Sequence, residues 1–178
     1  MKKSELKDIP EYFDRYINLV DDIELFSAFA KSFDELNQLD FQKMEKIGLQ
    51  TYLPNKWTVN EIFQHICDIE RLLISGTLRF VRGEEDFVIS FDEENIAKNS
   101  KANNRSLSQI INELKSIRLS TIELYKTFDK YDFQKSGINW KHRISVEAMG
   151  FNIIGHQIHH LNFLKNNYYQ LVQLQKLT

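Results

Sequence analysis

The chain has 178 residues, 42% of them hydrophobic and 27% charged, with a net charge of −2. That length suits one domain with a real core, and the near-neutral charge offers no basic surface for nucleic acid. One cysteine, Cys67, excludes an internal disulfide and a cysteine-cluster zinc site, while two prolines and six glycines favour long helices over a turn-rich β fold.

Residues 1–20 read as a lead-in. No apolar core follows the lysines of Met1-Lys2-Lys3, so no signal peptide is expected. No apolar run approaches the roughly 20 residues of a membrane span. A cytoplasmic protein with no membrane partner is the expectation. Within the lead-in, Tyr12, Phe13, Tyr16, Ile17 and Val20 suggest a short amphipathic turn or helix laid on the rest.

The first long helix is expected to begin near Asp21-Asp22, with an aspartate as cap. Leu25, Phe26, Phe29, Phe33 and Leu36 mark its inner face, and it fades at Asn37–Asp40. Residues 41–56, with Gly48 and Pro54, read as a connector with room for a helical turn.

The second helix has the clearest start. Thr58-Val59-Asn60-Glu61 is a capping box, and Trp57 can staple onto Ile62. Ile62, Ile66, Ile69, Leu73 and Phe80 form the stripe of a helix that runs to about Val81 and stops at Arg82-Gly83. His65 lies at the edge of that stripe.

Residues 83–105 are acidic and then Asn-rich, a long connection of the kind that crosses a bundle or covers a site. Ser106-Leu107-Ser108-Gln109 opens the third helix, with Ile110, Leu114, Ile117, Thr121, Leu124 and Phe128 inward. A loop is expected over 129–144, after which Ser145 caps the fourth helix. No convincing strand is read anywhere. The expected fold is all-α, a four-helix bundle with a long crossover between helices two and three.

The fourth helix carries the chemistry. His156 and His160 are four residues apart, which places two imidazoles one turn apart on one face. On the helical wheel they fall inside or beside the apolar arc of Met149, Ile153 and Leu164, while Asn152, His159 and Asn162 gather on the opposite, solvent side. An inward pair of histidines needs partners. A metal ion is one answer, and hydrogen bonds to neighbouring side chains are the other. His65 is the natural third ligand, because it is the remaining histidine expected to face inward. Three nitrogens with open positions is the pattern of a catalytic metal centre, since structural zinc sites are closed by four ligands.

Other residues carry two readings each. Asp68, one turn after His65, is either a carboxylate that accepts the second N–H of that ring or a solvated charge. Glu61 is better explained by the capping box than as a ligand. Arg79 is either a surface arginine or a partner for an anionic substrate. Trp140 and His142 either border a pocket or pack over the bundle end. Cys67 reads as a small buried residue. The Glu-x-x-His pairs of di-iron bundles and the His-Glu-x-x-His of zinc proteases are absent.

Lys56-Trp57-Thr58-Val59-Asn60-Glu61-Ile62-Phe63-Gln64-His65-Ile66-Cys67-Asp68-Ile69-Glu70 and Ile154-Gly155-His156-Gln157-Ile158-His159-His160-Leu161 together resemble the DinB/YfiT-like metalloenzyme family. The shared marks are a tryptophan and capped helix before the first histidine, His-x-x-Asp after it, and a late His-x-x-x-His. The likeness spans about residues 10 to 170. It implies a helical bundle with one divalent metal on His65, His156 and His160. Zn or Ni is the first expectation, with Fe and Mn also compatible with imidazole ligands. The family includes thiol S-transferases that use a low-molecular-weight thiol as co-substrate, and mycothiol-dependent isomerases. Metal-dependent transfer of a thiol to a small electrophile is therefore the first functional expectation. A metal-dependent hydrolase and a non-catalytic metal-binding stress-response module are the alternatives, and a homodimer fits any of these.

Overall fold

The computed structural model describes residues 1–84 and 86–174. Its longest helix, α4 (Val59–Val81), starts where the sequence says it should. Thr58 accepts from the Glu61 backbone N–H, and Glu61 accepts from that of Thr58. Before α4 come α1 (Asp14–Ile17), α2 (Leu25–Asn37) and α3 (Phe41–Ile47); after it come α5 (Glu93–Asn99), α6 (Leu107–Lys126), α7 (Val146–Asn167) and α8 (Tyr169–Leu174). Ser106 and Ser145 cap α6 and α7 as expected. No helix among the described residues is long and apolar enough to cross a membrane.

Four helices form the bundle: α2 packs on α6 and α7, and α4 packs on the same two. Side-chain pairs fix the directions. Asn60 bonds the carbonyl of Arg105, and further along Glu70 pairs with Arg118, so α4 and α6 run parallel. Tyr168 reaches the Trp57 carbonyl at one end and His65 meets His156 in the middle, so α7 runs against α4. Two parallel neighbours cannot be joined by a short turn. The chain after α4 must return the length of the bundle, and that is the physical reason for the long segment 82–106.

Three expectations need correction. The first long helix begins at Leu25, with Glu24 at the cap position and no side-chain cap. Asp22 instead accepts from the backbone N–H of Ser4 in the lead-in, and Asp21 pairs with Lys31 on the body of α2, so neither caps the helix. The connector holds a true helix, α3, capped by Asp40. The largest correction is a small sheet: β1 (Val88–Ile89) pairs parallel with β2 (Ser136–Asn139), which pairs antiparallel with β3 (His142–Ser145). Along β2 the buried positions are Gly137 and Asn139, so the inward face carries no apolar alternation for a sequence reading to find. Gly137 is required there, because the Phe80 ring lies 2.0 Å from where a Cβ would sit. The sheet ties the crossover to the hairpin before α7, on one side of the bundle. At the hairpin tip Trp140 adopts φ 56° and donates its N–H to the Ile89 carbonyl.

Candidate metal centre

α4 and α7 face one another across the bundle, and their inward sides carry His65, His156 and His160. The Nε2 atoms of His65 and His160 each lie 3.1 Å from Nε2 of His156. Suitable nitrogens on the three rings all fall within 4.8 Å of one another. His65 and His156 are buried and His160 is partly so.

Hydrogen bonding alone does not explain this cluster. An imidazole nitrogen offers either one N–H or one in-plane lone pair. His156 Nε2 faces two other nitrogens and can bond well with one of them. The other contact is at best a weak share of the same N–H or lone pair, and with the wrong tautomer it sets lone pair against lone pair or hydrogen against hydrogen. A cation among the three resolves the conflict. Metal–nitrogen bonds of about 2.0–2.1 Å place two ligand nitrogens about 2.8–3.4 Å apart for angles from square to tetrahedral, and the two 3.1 Å spacings from His156 fall inside that range.

The protonation states agree. Burial lowers the pKa of His65 to about 4 and of His160 to about 2, and pushes His156 well below the usual histidine value. Burial is the main cause in each case, reinforced by other histidines and, for His156 and His160, by Arg15. All three rings are therefore neutral at pH 7, with lone pairs available to a ligand.

Neighbouring elements hold the rings in place. At Gly155 the Tyr16 carbonyl oxygen is 2.1 Å from where a Cβ would be, so the glycine lets the α1 backbone touch α7. Tyr16 then stands edge-on to His156 and His159, with centroids 5.3 and 5.2 Å away. Trp57 lies over His65 at 4.8 Å. His159 is half-buried, not solvent-facing as expected; its ring stands edge-on to His160 with centroids 5.1 Å apart, and it is not one of the three converging rings.

Asp68 does not take the role open to it. It accepts from Gln64 at 2.9 Å and pairs with Arg71, in a surface network that continues through Arg105 and Glu113. No hydrogen bond joins it to His65, whose Nδ1 is buried with no protein partner among the described residues. Glu61 serves the cap and accepts from Asn103. Arg79 pairs with Glu84 at the surface. Cys67 is buried near the Ile110 carbonyl, and burial pushes its thiol pKa up.

Two cavities flank the triad. One, of about 220 Å³, has His156 in its wall, with Tyr16, Phe91, Glu93, Trp140 and Asn152 among its other lining residues. The second, of about 300 Å³, has His160 in its wall beside Lys56, Trp57 and Glu94. Trp140 thus borders a cavity, while His142 packs beside Tyr12 and Phe13. The sequence reading missed Glu93 and misplaced Asn152, which is buried and not solvent-facing. A signal was present for Asn152: it lies four residues before His156, only about 40° away on the wheel. Glu93 carried none, since its place depends on the return path of the crossover. Burial raises the pKa of the Glu93 carboxyl, with Arg15 opposing.

A sequence model of the DinB superfamily matches residues 18–164. None of the curated proteins matches the chain. Among solved structures the chain is similar to YfiT from Bacillus subtilis, described as a probable metal-dependent hydrolase with an unusual four-helix bundle topology. The TM-score is 0.66 at 16% identity, covering 90% of this chain and 88% of that one, a likeness of fold.

Proposed function

The chain belongs to the DinB superfamily, and from that premise we propose that His65, His156 and His160 hold one divalent metal ion in the service of an enzyme. The observation that carries this reading is the convergence of three neutral imidazole nitrogens, two of them 3.1 Å from the His156 nitrogen, where a single N–H or lone pair cannot serve both neighbours well. A metal there would supply Lewis acidity and lower the pKa of a nucleophile.

The chain's own residues supply the rest. The flanking cavities give a small molecule access to both His156 and His160. Tyr16 and Trp57 brace the rings. Glu93, with its pKa raised by burial, is suited to take up or release a proton on the His156 side. The described likeness of YfiT favours hydrolysis with water as the nucleophile. Thiol transfer to an electrophile is the second reading, favoured by the presence of two cavities, because group transfer needs room for two partners.

The test is elemental analysis of protein made without a histidine tag, beside the His65→Ala and His156→Ala variants. About one equivalent of metal in the parent and none in either folded variant is expected. A folded parent that holds no metal and takes none up on titration overturns the proposal. Hydrolytic and thiol-transfer assays on the loaded protein then separate the two readings.

A further inference from the structure

Most arginines of the bundle are taken up by acids. Arg71, Arg79, Arg105 and Arg118 each pair with a glutamate. Arg15, on α1, pairs with no carboxylate among the described residues. Its guanidinium lies over the Tyr12 ring, 3.9 Å from the centroid, and over that of Tyr16 at 4.6 Å, and Nη2 donates to the Tyr16 hydroxyl at 2.8 Å. Two rings and a hydrogen bond fix the head of a long, flexible side chain and leave its other N–H groups free. Tyr12 itself is held at φ 76°, a backbone state that a bulky residue keeps only where its surroundings impose it.

The place is next to the proposed metal centre. Tyr12 and Tyr16 both line the cavity of about 220 Å³ that reaches His156. One ring, Tyr16, stands between the guanidinium and His156, edge-on to the latter with centroids 5.3 Å apart. The Arg15 charge is felt at His156, His159, His160 and Glu93 alike. Arg15 is also exposed, so a molecule arriving from solvent can reach it.

An arginine fork matches the two coplanar oxygens of a carboxylate. Glu93, in the same cavity wall, does not fill that place, since the two side chains form no ion pair. It does limit the charge that a ligand brings. One guanidinium offsets a monoanion, whereas a dianion would also meet the repulsion of Glu93.

We infer that Arg15 binds the carboxylate of a small monoanionic molecule whose other end enters the cavity and faces His156. The role weighed for Arg79 in the sequence thus falls to Arg15, because Arg79 is held by Glu84. The inference rests on the proposed function only in making that molecule the substrate.

The experiment is ligand-observed NMR titration with benzoate and with benzamide, its neutral isostere, at low ionic strength. Parent and Arg15→Gln are each titrated as purified and again after chelation, with metal content and circular dichroism measured on the same samples. In both states of the parent, benzoate is expected to bind about fivefold more tightly than benzamide or better, the size of one net charge-assisted hydrogen bond at an accessible site. In Arg15→Gln the affinity for benzamide stays and the advantage of benzoate is lost. Equal affinities in the parent, binding of neither ring, or a benzoate preference that survives Arg15→Gln overturns the inference. So does an equal loss of both affinities in Arg15→Gln, which would make Arg15 a brace for the tyrosines alone. A preference present as purified and absent from folded, chelated parent assigns the carboxylate to the metal, which overturns the part of Arg15 and leaves the proposed function standing. A parent that holds no metal and takes none up overturns the proposed function whatever benzoate does.

Discussion

Two buried polar clusters lie five residues apart on α4, and they are built in opposite ways. Glu70 meets Arg118 of α6 in a two-pronged pair, Nε to Oε1 and Nη2 to Oε2, both at 2.9 Å. Thr121 donates to the same carboxylate at 2.7 Å, and Arg118 also donates to Ser32 of α2, which in turn donates to the Phe29 carbonyl. Arg118 is fully buried, yet it is held by acceptors from two other helices, Glu70 of α4 and Ser32 of α2. The histidine triad is buried but for part of His160, yet its nitrogens face one another and His65 Nδ1 has no hydrogen-bond partner among the described residues. A cluster that closes on itself tells of structure, since nothing further can enter without breaking a bond. A cluster whose own atoms conflict tells of a missing partner.

The contrast is broken most forcefully from the closed side. Arg118→Ala leaves Glu70 charged, buried and alone, and is expected to cost about 3–5 kcal/mol of stability. Chemical denaturation measures it, and the fraction that remains folded should still hold metal, because no hydrogen bond among the described residues joins the three histidines to this pair. Removing the metal is the matching operation on the open side. A ligand at 100 times its Kd stabilises the folded state by about 2.7 kcal/mol. Chelation should therefore lower the melting temperature of the parent and leave that of His156→Ala unmoved. Equal sensitivity to chelation in both proteins would erase the distinction.

Acid sharpens it further. The unfolded histidines titrate near pH 6.5, while burial holds His65 near 4 and His160 near 2 in the fold. Between those values the unfolded chain binds more protons, so stability is present in full above pH 6.5 and declines as the pH falls. From pH 6.5 to 5 the loss is about 1.6 kcal/mol for His65 alone. Metal-free parent should show this acid lability in denaturation curves, and a variant carrying His65→Gln should show less of it.

Much of the site was legible in the sequence because it obeys local rules. The capping boxes at Thr58 and Ser106 start their helices where the residues say, and four-residue spacing brings His156 and His160 together. What stayed hidden depends on distant chain. Arg118 reads as a surface residue on an amphipathic helix until Glu70, 48 positions earlier, is seen opposite it. The central strand β2 is hidden because its inward positions are a glycine and an asparagine. Glu93 becomes part of the site only because α4 and α6 are parallel and the crossover must return beside the triad.

The smallest effect is the most discriminating. Asp68 stands one turn after His65, where a carboxylate that orients a metal-bound ring would stand, and sequence spacing alone cannot decide its role. In the fold it belongs to the surface: Gln64 donates to it, Arg71 sits 3.7 Å away, and burial raises its carboxyl pKa despite both. Asp68→Asn keeps the acceptor that Gln64 uses and removes only the charge facing Arg71. Surface ion pairs contribute about 0–1 kcal/mol, so stability should change by less than about 1 kcal/mol. Metal content and affinity should not change. An orienting carboxylate would instead cost about 10–100-fold in metal affinity. A competition titration with a chromophoric chelator distinguishes the two outcomes, and a loss of that size would mean that Asp68 turns inward to His65 when the metal is bound.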